Sequence, residues 1–202
     1  MLTKNKDAVK YETKNPIARS LLKNFFAGVG SLTDTIKFAN IFEAGCGNGY
    51  VTEFLRANYP HASITAIDIE DEKVEVAKAR VKDVIFSVGN IYDIPHPEGT
   101  YDLVVSTEVL EHLDKPSEAL RELVRISSKY ILVSVPNEPL WCMANVIRFK
   151  YLKGEGRIGN TPGHINHWSK NAFKRFSRDF CKVIAVRTPF PFTILLGEKL
   201  IN

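Results

Sequence analysis

In the stretch IFEAGCGNGY a carboxylate, Glu43, stands just ahead of three glycines at alternate positions, Gly45, Gly47 and Gly49. Glycine lets a backbone turn tightly and approach a ligand with no Cβ in the way. The spacing is GxGxG, not the GxGxxG that cradles a pyrophosphate at a helix N-terminus. Glu43 also argues against a phosphate, since like charges repel at this range and a cation is attracted. A sulfonium, an ammonium and an adenosine without phosphate meet these demands, and S-adenosylmethionine carries all three. Asp68 ends the next apolar run, where a carboxylate accepts hydrogen bonds from ribose hydroxyls. Ile69 follows, placed to pack on the adenine ring. Asn90 and Ile91, in VGNIYDIP, are placed to meet the edge and face of that ring. Cys46 lies inside the glycine turn and joins the same contact set.

A second group of residues could act on an acceptor. STEVLEHL puts Glu108, Glu111 and His112 at i, i+3 and i+4, one face of a helix if a helix starts there. GHINHWS adds His164 and His167. Methyl transfer from a sulfonium is an in-line displacement with a good leaving group, so alignment and desolvation are much of the task. A hydroxyl acceptor also needs its proton removed. His164 or His167 is the candidate general base, set against the competing reading of a loop histidine with no catalytic part. Trp141 and Trp168 are expected to serve packing.

These groups need a frame, and the hydrophobic pattern supplies one. NIFEA (40–44), ASITAIDI (62–69), DVIFSVG (83–89), YDLVVST (101–107) and KYILVSVP (129–136) read as strands. Helical patterns at 16–26, 49–59, 71–81 and 115–127 precede or alternate with them, the last opening on Pro116 in its first turn. A further helix at 170–180 and two more strand-like runs at 181–188 and 192–197 bring the total to seven strands. Strands alternating with helices imply a mainly parallel sheet with helices on both faces, an α/β fold wound in both directions. In such a sheet the ligand lies beyond the carboxyl ends of the strands, where the glycine turn falls.

The chain of 202 residues is read as one domain over 1–202, long enough to bury about 70% of its unfolded surface. Residues 137–168 break the rhythm and are read as an insertion covering the site, with Trp141, Ala144, Ile147 and Tyr151 along one side of a helix. The basic, amphipathic part of it at 140–153 raises a peripheral membrane contact as a weaker alternative. The N-terminus lacks the apolar core of a signal peptide, and no apolar run approaches a membrane span, so a cytoplasmic location is expected. Cys46, Cys142 and Cys181 form no CxxC pair, which points to reduced thiols rather than a cysteine zinc site. The net charge of +4 is low for a phosphate-tracking surface, although basic residues crowd the C-terminal third.

FEAGCGNGYVTEFL, ITAIDIE, FSVGNIYDIP and YDLVVSTEVLEHL resemble, in order and spacing, the successive motifs of the class I S-adenosylmethionine-dependent methyltransferases. The resemblance spans about residues 38 to 136. It implies a Rossmann-like seven-stranded sheet with an antiparallel last strand, and cofactor contacts at Glu43, Gly45, Asp68, Asn90, Ile91 and Thr107. The turn before the fifth strand departs from the family, reading ISSKYILV where paired glycines are usual. ExxEH with a later histidine–aromatic segment resembles two subsets, the ubiquinone-biosynthesis O-methyltransferases and the small-RNA 3′-end 2′-O-methyltransferases. In the RNA enzymes that set binds a divalent metal. It implies Glu108, Glu111, His112 and His167 as candidate ligands of Mg²⁺ or Mn²⁺, with capping and bracing of the helix as the alternative. The NPPY-like stretch of amino-methylating nucleic-acid enzymes is absent after the fourth strand, where the chain reads STEV, and no cysteine is placed for C5 methylation. The expectation is O-methylation of a small-molecule hydroxyl. The alternatives are metal-dependent RNA 2′-O-methylation and a non-catalytic cofactor-binding partner.

Overall fold

The computed structural model describes residues 14–138 and 163–200. The helix expected in the insertion and the basic stretch at 140–153 lie outside these residues. Among the described residues no helix is long and apolar enough to cross a membrane.

In chain order the elements are α1 (Pro16–Thr33), β1 (Asn40–Ala44), α2 (Tyr50–Asn58), β2 (Ser63–Asp68), α3 (Asp71–Arg80), β3 (Ile85–Val88), β4 (Tyr101–Thr107), α4 (Pro116–Ile126), β5 (Ser127–Pro136), α5 (Lys170–Arg178), β6 (Cys181–Arg187) and β7 (Phe192–Lys199). The seven strands form one sheet in the order β3-β2-β1-β4-β5-β7-β6. Strands β1 to β5 pair in parallel, and β7 runs antiparallel between β5 and β6.

Successive side chains on a strand point to opposite faces, and the two cores follow that rule. Ile41, Leu103, Val105, Leu132, Ile194 and Leu196 pack with Phe25, Val29 and Leu32 of α1 and Leu55 of α2. Their neighbours Phe42, Val104, Ile131, Val133 and Leu195 pack with Leu120, Leu123 and Ile126 of α4 and Phe173 of α5. Each core is a layer between sheet and helices.

Helix α1 starts where Asn15 accepts amide hydrogens from Ile17 (2.9 Å) and Ala18 (3.3 Å), with Pro16 in the first turn. It runs past the expected end at residue 26. Gly28 and Gly30 look like terminators in sequence, yet Gly28 is where α1 meets β7. A Cβ there would sit 2.9 Å from Ile194 Cδ1 and 3.1 Å from Pro189 Cγ. Tertiary packing against the sheet overrides the weak helix propensity of glycine.

Strands on the two sides of β1 and β4 are wound in opposite directions, so a crevice opens above the carboxyl ends of this pair. Register places Glu43 beside Ala66 of β2 and Val105 of β4, next to that crevice.

Candidate functional site

The turn after β1 is built on left-handed backbone: Gly45, Gly47 and Gly49 have φ of 78°, 52° and 81°. The amides of Gly45 and Cys46 both donate to the Ile67 carbonyl, at 2.8 and 2.9 Å, folding the turn over the end of β2. A Cβ on Gly45 would strike the Val109 side chain, whereas one on Gly47 would meet nothing within 4 Å. Gly47 therefore borders open space. Arg80 of α3 supports the turn from outside. Its Nε donates to the Asn48 carbonyl at 3.0 Å, and its guanidinium lies 3.8 Å from the centre of the Tyr50 ring.

Glu43 is 1% exposed, and its Oε2 accepts the Thr52 hydroxyl at 2.6 Å. Burial pushes its pKa up to about 7; the Thr52 bond opposes the rise and the nearby Asp68 charge adds to it. A second buried acid, Asp68, accepts the Gly47 amide on Oδ2 at 2.8 Å and the Glu70 amide on Oδ1 at 3.0 Å. The Cys46 thiol is buried and pushed far up by that burial and by the charges of Glu43 and Asp68, so it is no nucleophile.

Beyond β2, Ile69 is 67% exposed, a large apolar side chain open to a ligand beside Asp68. Asn90 follows β3 and accepts the Tyr92 amide on Oδ1 at 3.0 Å, while Ile91 packs against the core behind it. Thr107 closes β4 and is buried. Glu43, Gly45, Cys46, Gly47, Asp68, Ile69, Asn90, Ile91 and Thr107 thus all fall at the carboxyl edge of β1 to β4. An acidic floor, an open glycine turn and an exposed apolar side chain fit a cationic adenosyl ligand.

The second group departs from expectation. Glu108, Glu111 and His112 share no helical face, because only a single 3-10 turn forms, at Leu110–His112. Glu108 has φ of 57°. Its amide donates to the Ser134 carbonyl at 3.0 Å, and its Oε1 accepts the Ser134 hydroxyl at 3.0 Å. These bonds to β5 hold it in a conformation that non-glycine residues rarely adopt.

Glu111, His112 and His164 do converge, each offering a donor atom within 4.8 Å of the others. His167 does not belong to that trio. Its Nδ1 lies 3.7 Å from Oε1 of Glu138, which is also 4.0 Å from His164 Nδ1. Glu138 was not singled out in the sequence. It is 6% exposed and follows β5 directly, and its amide donates to the Trp168 carbonyl at 2.8 Å. Asn166 was also missed. Its Nδ2 donates to the carbonyls of Leu110 and Leu113, at 3.2 and 2.6 Å, joining the histidine segment to the turn after β4. The one available signal was position, since a polar residue just past a buried strand lies at the ligand edge.

A sheet of this order, with a buried acid under a glycine turn and a second acid ending β2, is the arrangement that the resemblance to class I S-adenosylmethionine-dependent methyltransferases implies. Residues 42–129 match the family described as Methyltransferase domain. The chain is 32% identical over 121 residues to the malonyl-[acyl-carrier protein] O-methyltransferase of Bacillus anthracis, across 59% of this chain and 45% of that protein. It is 32% identical over 95 residues to the ajmaline N-methyltransferase of Rauvolfia serpentina, across 44% of this chain and 32% of that protein. The chain thus spans less than half the length of these curated relatives. Among solved structures, magnesium protoporphyrin IX methyltransferase of Synechocystis PCC 6803, with bound SAH, superposes with a TM-score of 0.71. That likeness, at 14% identity over 96% of this chain and 92% of the other, is one of fold.

Proposed function

We propose that the protein transfers the methyl group of S-adenosylmethionine to a hydroxyl oxygen of a small-molecule acceptor. The observation that carries this reading is Glu43, a carboxylate buried under an open glycine turn with its pKa near 7. A buried acid so placed, with Asp68 close by, favours a cationic ligand over a phosphate.

Glu43 would face the positive end of the cofactor. Asp68 would accept the ribose hydroxyls, because a carboxylate has about four lone-pair sites and each of its oxygens accepts one backbone amide. Ile69 would cover one face of the adenine, and Asn90 its edge. The bound cofactor supplies an electrophilic methyl carbon on a good leaving group. The acceptor side is built by the loops after β4 and β5. His167 Nδ1 faces Glu138, leaving Nε2 as the nitrogen to take a hydroxyl proton, with the Glu138 carboxylate beside the resulting imidazolium. His164 is more deeply buried and is assigned a supporting place. The relative named for O-methylation supports oxygen as the acceptor atom.

The test is calorimetric titration with S-adenosylmethionine and S-adenosylhomocysteine, with Glu43→Lys as control. A screen for transfer of a labelled methyl group to hydroxylated small molecules and to RNA would follow. Cofactor binding lost in Glu43→Lys, with label in a small-molecule ether or ester, is the expected result. Absence of cofactor heat in the wild type overturns the whole reading, and label only in RNA overturns the acceptor class.

A further inference from the structure

Helix α4 carries an ion pair that the methyl-transfer reading leaves unused. Arg125 Nε donates to Glu122 Oε2 at 2.6 Å and its Nη2 donates to Oε1 at 2.7 Å, a bidentate, charge-assisted pair. The two side chains are largely covered, the acid 15% and the base 35% exposed. Together they grip one peptide of the loop after β3. Glu122 Oε1 accepts the Ile94 amide at 2.9 Å, and Arg125 Nη2 donates to the Ile94 carbonyl at 2.9 Å. Arg125 Nη1 donates to the His96 carbonyl at 2.8 Å, and the Arg125 carbonyl accepts the Gly99 amide at 2.9 Å. The Tyr92 hydroxyl accepts the Lys115 amide at 3.3 Å, so the loop is tied to both ends of α4.

We infer that Glu122 and Arg125 are positioning residues of the cofactor site: the pair fixes the turn at 90–94 and, through Asn90, the base that the site accepts. The inference rests on the S-adenosylmethionine reading and deepens it. Ile94 is 2% exposed, and its burial alone would anchor the loop. Gripping the N–H and the C=O of that residue also fixes how the backbone is rotated, and so the direction in which the chain leaves towards Asp93. The Asp93 amide donates to the Asn90 carbonyl at 3.1 Å, and the Tyr92 amide donates to Asn90 Oδ1 at 3.0 Å. With that oxygen engaged, Nδ2 is the donor that Asn90 offers to the edge of a base. The pair itself stands far from the ligand edge. Helix α4 ends at Ile126 and β5 begins at Ser127, which places Arg125 at the amino end of the parallel strands, whereas Asn90 follows the carboxyl end of β3. Any effect of Glu122 or Arg125 on the cofactor therefore passes through the loop. Adenine presents an amino donor and a ring-nitrogen acceptor where hypoxanthine presents a carbonyl and an N–H. A loop held in one rotation distinguishes them, because the wrong base leaves polar groups unpaired.

The test is calorimetric titration of the full chain with S-adenosylhomocysteine and with its inosine counterpart, S-inosylhomocysteine. The wild type should prefer the adenine ligand by at least about 10-fold. Arg125→Met should weaken S-adenosylhomocysteine by about 10-fold and the inosine ligand by less than about 2-fold, so that the preference collapses. Arg125→Lys should recover only part of it, because an ammonium cannot hold the carboxylate and two carbonyls in one plane. Ile126→Val, a core change on the same helix, should lower the melting temperature and leave the preference intact. In the ligand-free chain, hydrogen exchange at the Ile94 amide should be at least about 10-fold faster in Glu122→Ala than in the wild type. A circular dichroism melt verifies each variant, and Glu122→Gln, which keeps the shape and loses the charge, serves if Arg125→Met fails to fold. Equal losses for the two ligands, a preference that survives in the variants, a wild type that does not distinguish the bases, or unchanged exchange at Ile94 overturns the inference. A wild type that binds neither ligand overturns the cofactor reading itself, so the two failures are distinguishable.

Discussion

Asp68 Oδ2 accepts the Gly47 amide at 2.8 Å, tying the acid that ends β2 to the turn that ends β1. Its other oxygen holds the Glu70 amide, so one carboxylate braces both loops that the adenosyl moiety would touch. Asp68→Ala should lower S-adenosylhomocysteine affinity by about 100-fold and cost about 1–3 kcal/mol of stability, since two backbone donors lose their acceptor. Calorimetry reads the first and urea unfolding the second. Unchanged affinity in a folded variant would remove Asp68 from the ribose site.

Glu43 makes a distinct prediction for pH. Its carboxyl has an ordinary value of 4.5 and about 7 when buried in the fold. Between those values the folded chain holds the proton and the unfolded chain releases it. Stability from this group is therefore full below 4.5 and declines as pH rises to about 7, by up to about 3 kcal/mol. Glu43→Gln can still accept the Thr52 hydroxyl and does not titrate. Relative to wild type it should gain stability at pH 8 over pH 5, by that amount at most. Parallel pH dependence of the two chains in urea unfolding would show that Glu43 is not protonated in the fold.

A cation bound beside Glu43 would pull its pKa back down. Near pH 7 about half the chains carry the proton, so cofactor binding should release roughly half a proton, falling towards zero at pH 9. Calorimetry in buffers of different ionisation enthalpy measures this directly. Proton uptake, or no buffer dependence at pH 7, would mean that the ligand's positive charge lies elsewhere.

The parts of this site that were legible in the sequence are those fixed by local chemistry. NIFEA and YDLVVST end where β1 and β4 end, because an apolar run followed by glycine or a turn leaves little freedom. Glu43, Gly45 and Asp68 could be placed because each sits at the end of such a run. The acceptor side was less legible for two physical reasons. Glu108 adopts left-handed backbone under the pull of Ser134, a residue on another strand, so the helical spacing of Glu108, Glu111 and His112 has no helix behind it. Glu138 and Asn166 find their partners across long separations in the chain, and no local period announces such contacts. Helix α1 makes the same point, since packing on β7 at Gly28 and on Phe54 of α2 at Gly30 carries it through two glycines.

The turn glycines should separate two kinds of defect. Gly45 and Gly47 both lie at positive φ, which costs an alanine about 1–2 kcal/mol. At Gly45 the new methyl also collides with Val109, while at Gly47 it enters open space. Gly45→Ala should therefore lose clearly more stability than Gly47→Ala. Gly47→Ala should lose cofactor affinity beyond its modest stability cost, because its methyl occupies the space assigned to the ligand. Thermal melts with calorimetric titration distinguish the cases. A Gly47→Ala chain that binds S-adenosylhomocysteine like wild type would move the ligand away from this turn.

Arg80 tests whether the turn must be held rigid to bind. Its Nε bonds the Asn48 carbonyl, and its guanidinium covers the Tyr50 ring at the start of α2. Neither contact touches the space assigned to the ligand, so any effect on affinity must pass through the turn. Arg80→Met keeps most of the aliphatic stem and loses both the bond and the charge. It should cost about 1–3 kcal/mol in stability and weaken S-adenosylhomocysteine by about 3- to 10-fold. Arg80→Lys should recover little, because an ammonium cannot lie flat on the ring while donating sideways to the carbonyl. Full recovery by lysine would reduce the role of Arg80 to simple charge, and an unchanged affinity in Arg80→Met would show that the turn holds its shape without Arg80, through Asp68 and the Ile67 carbonyl.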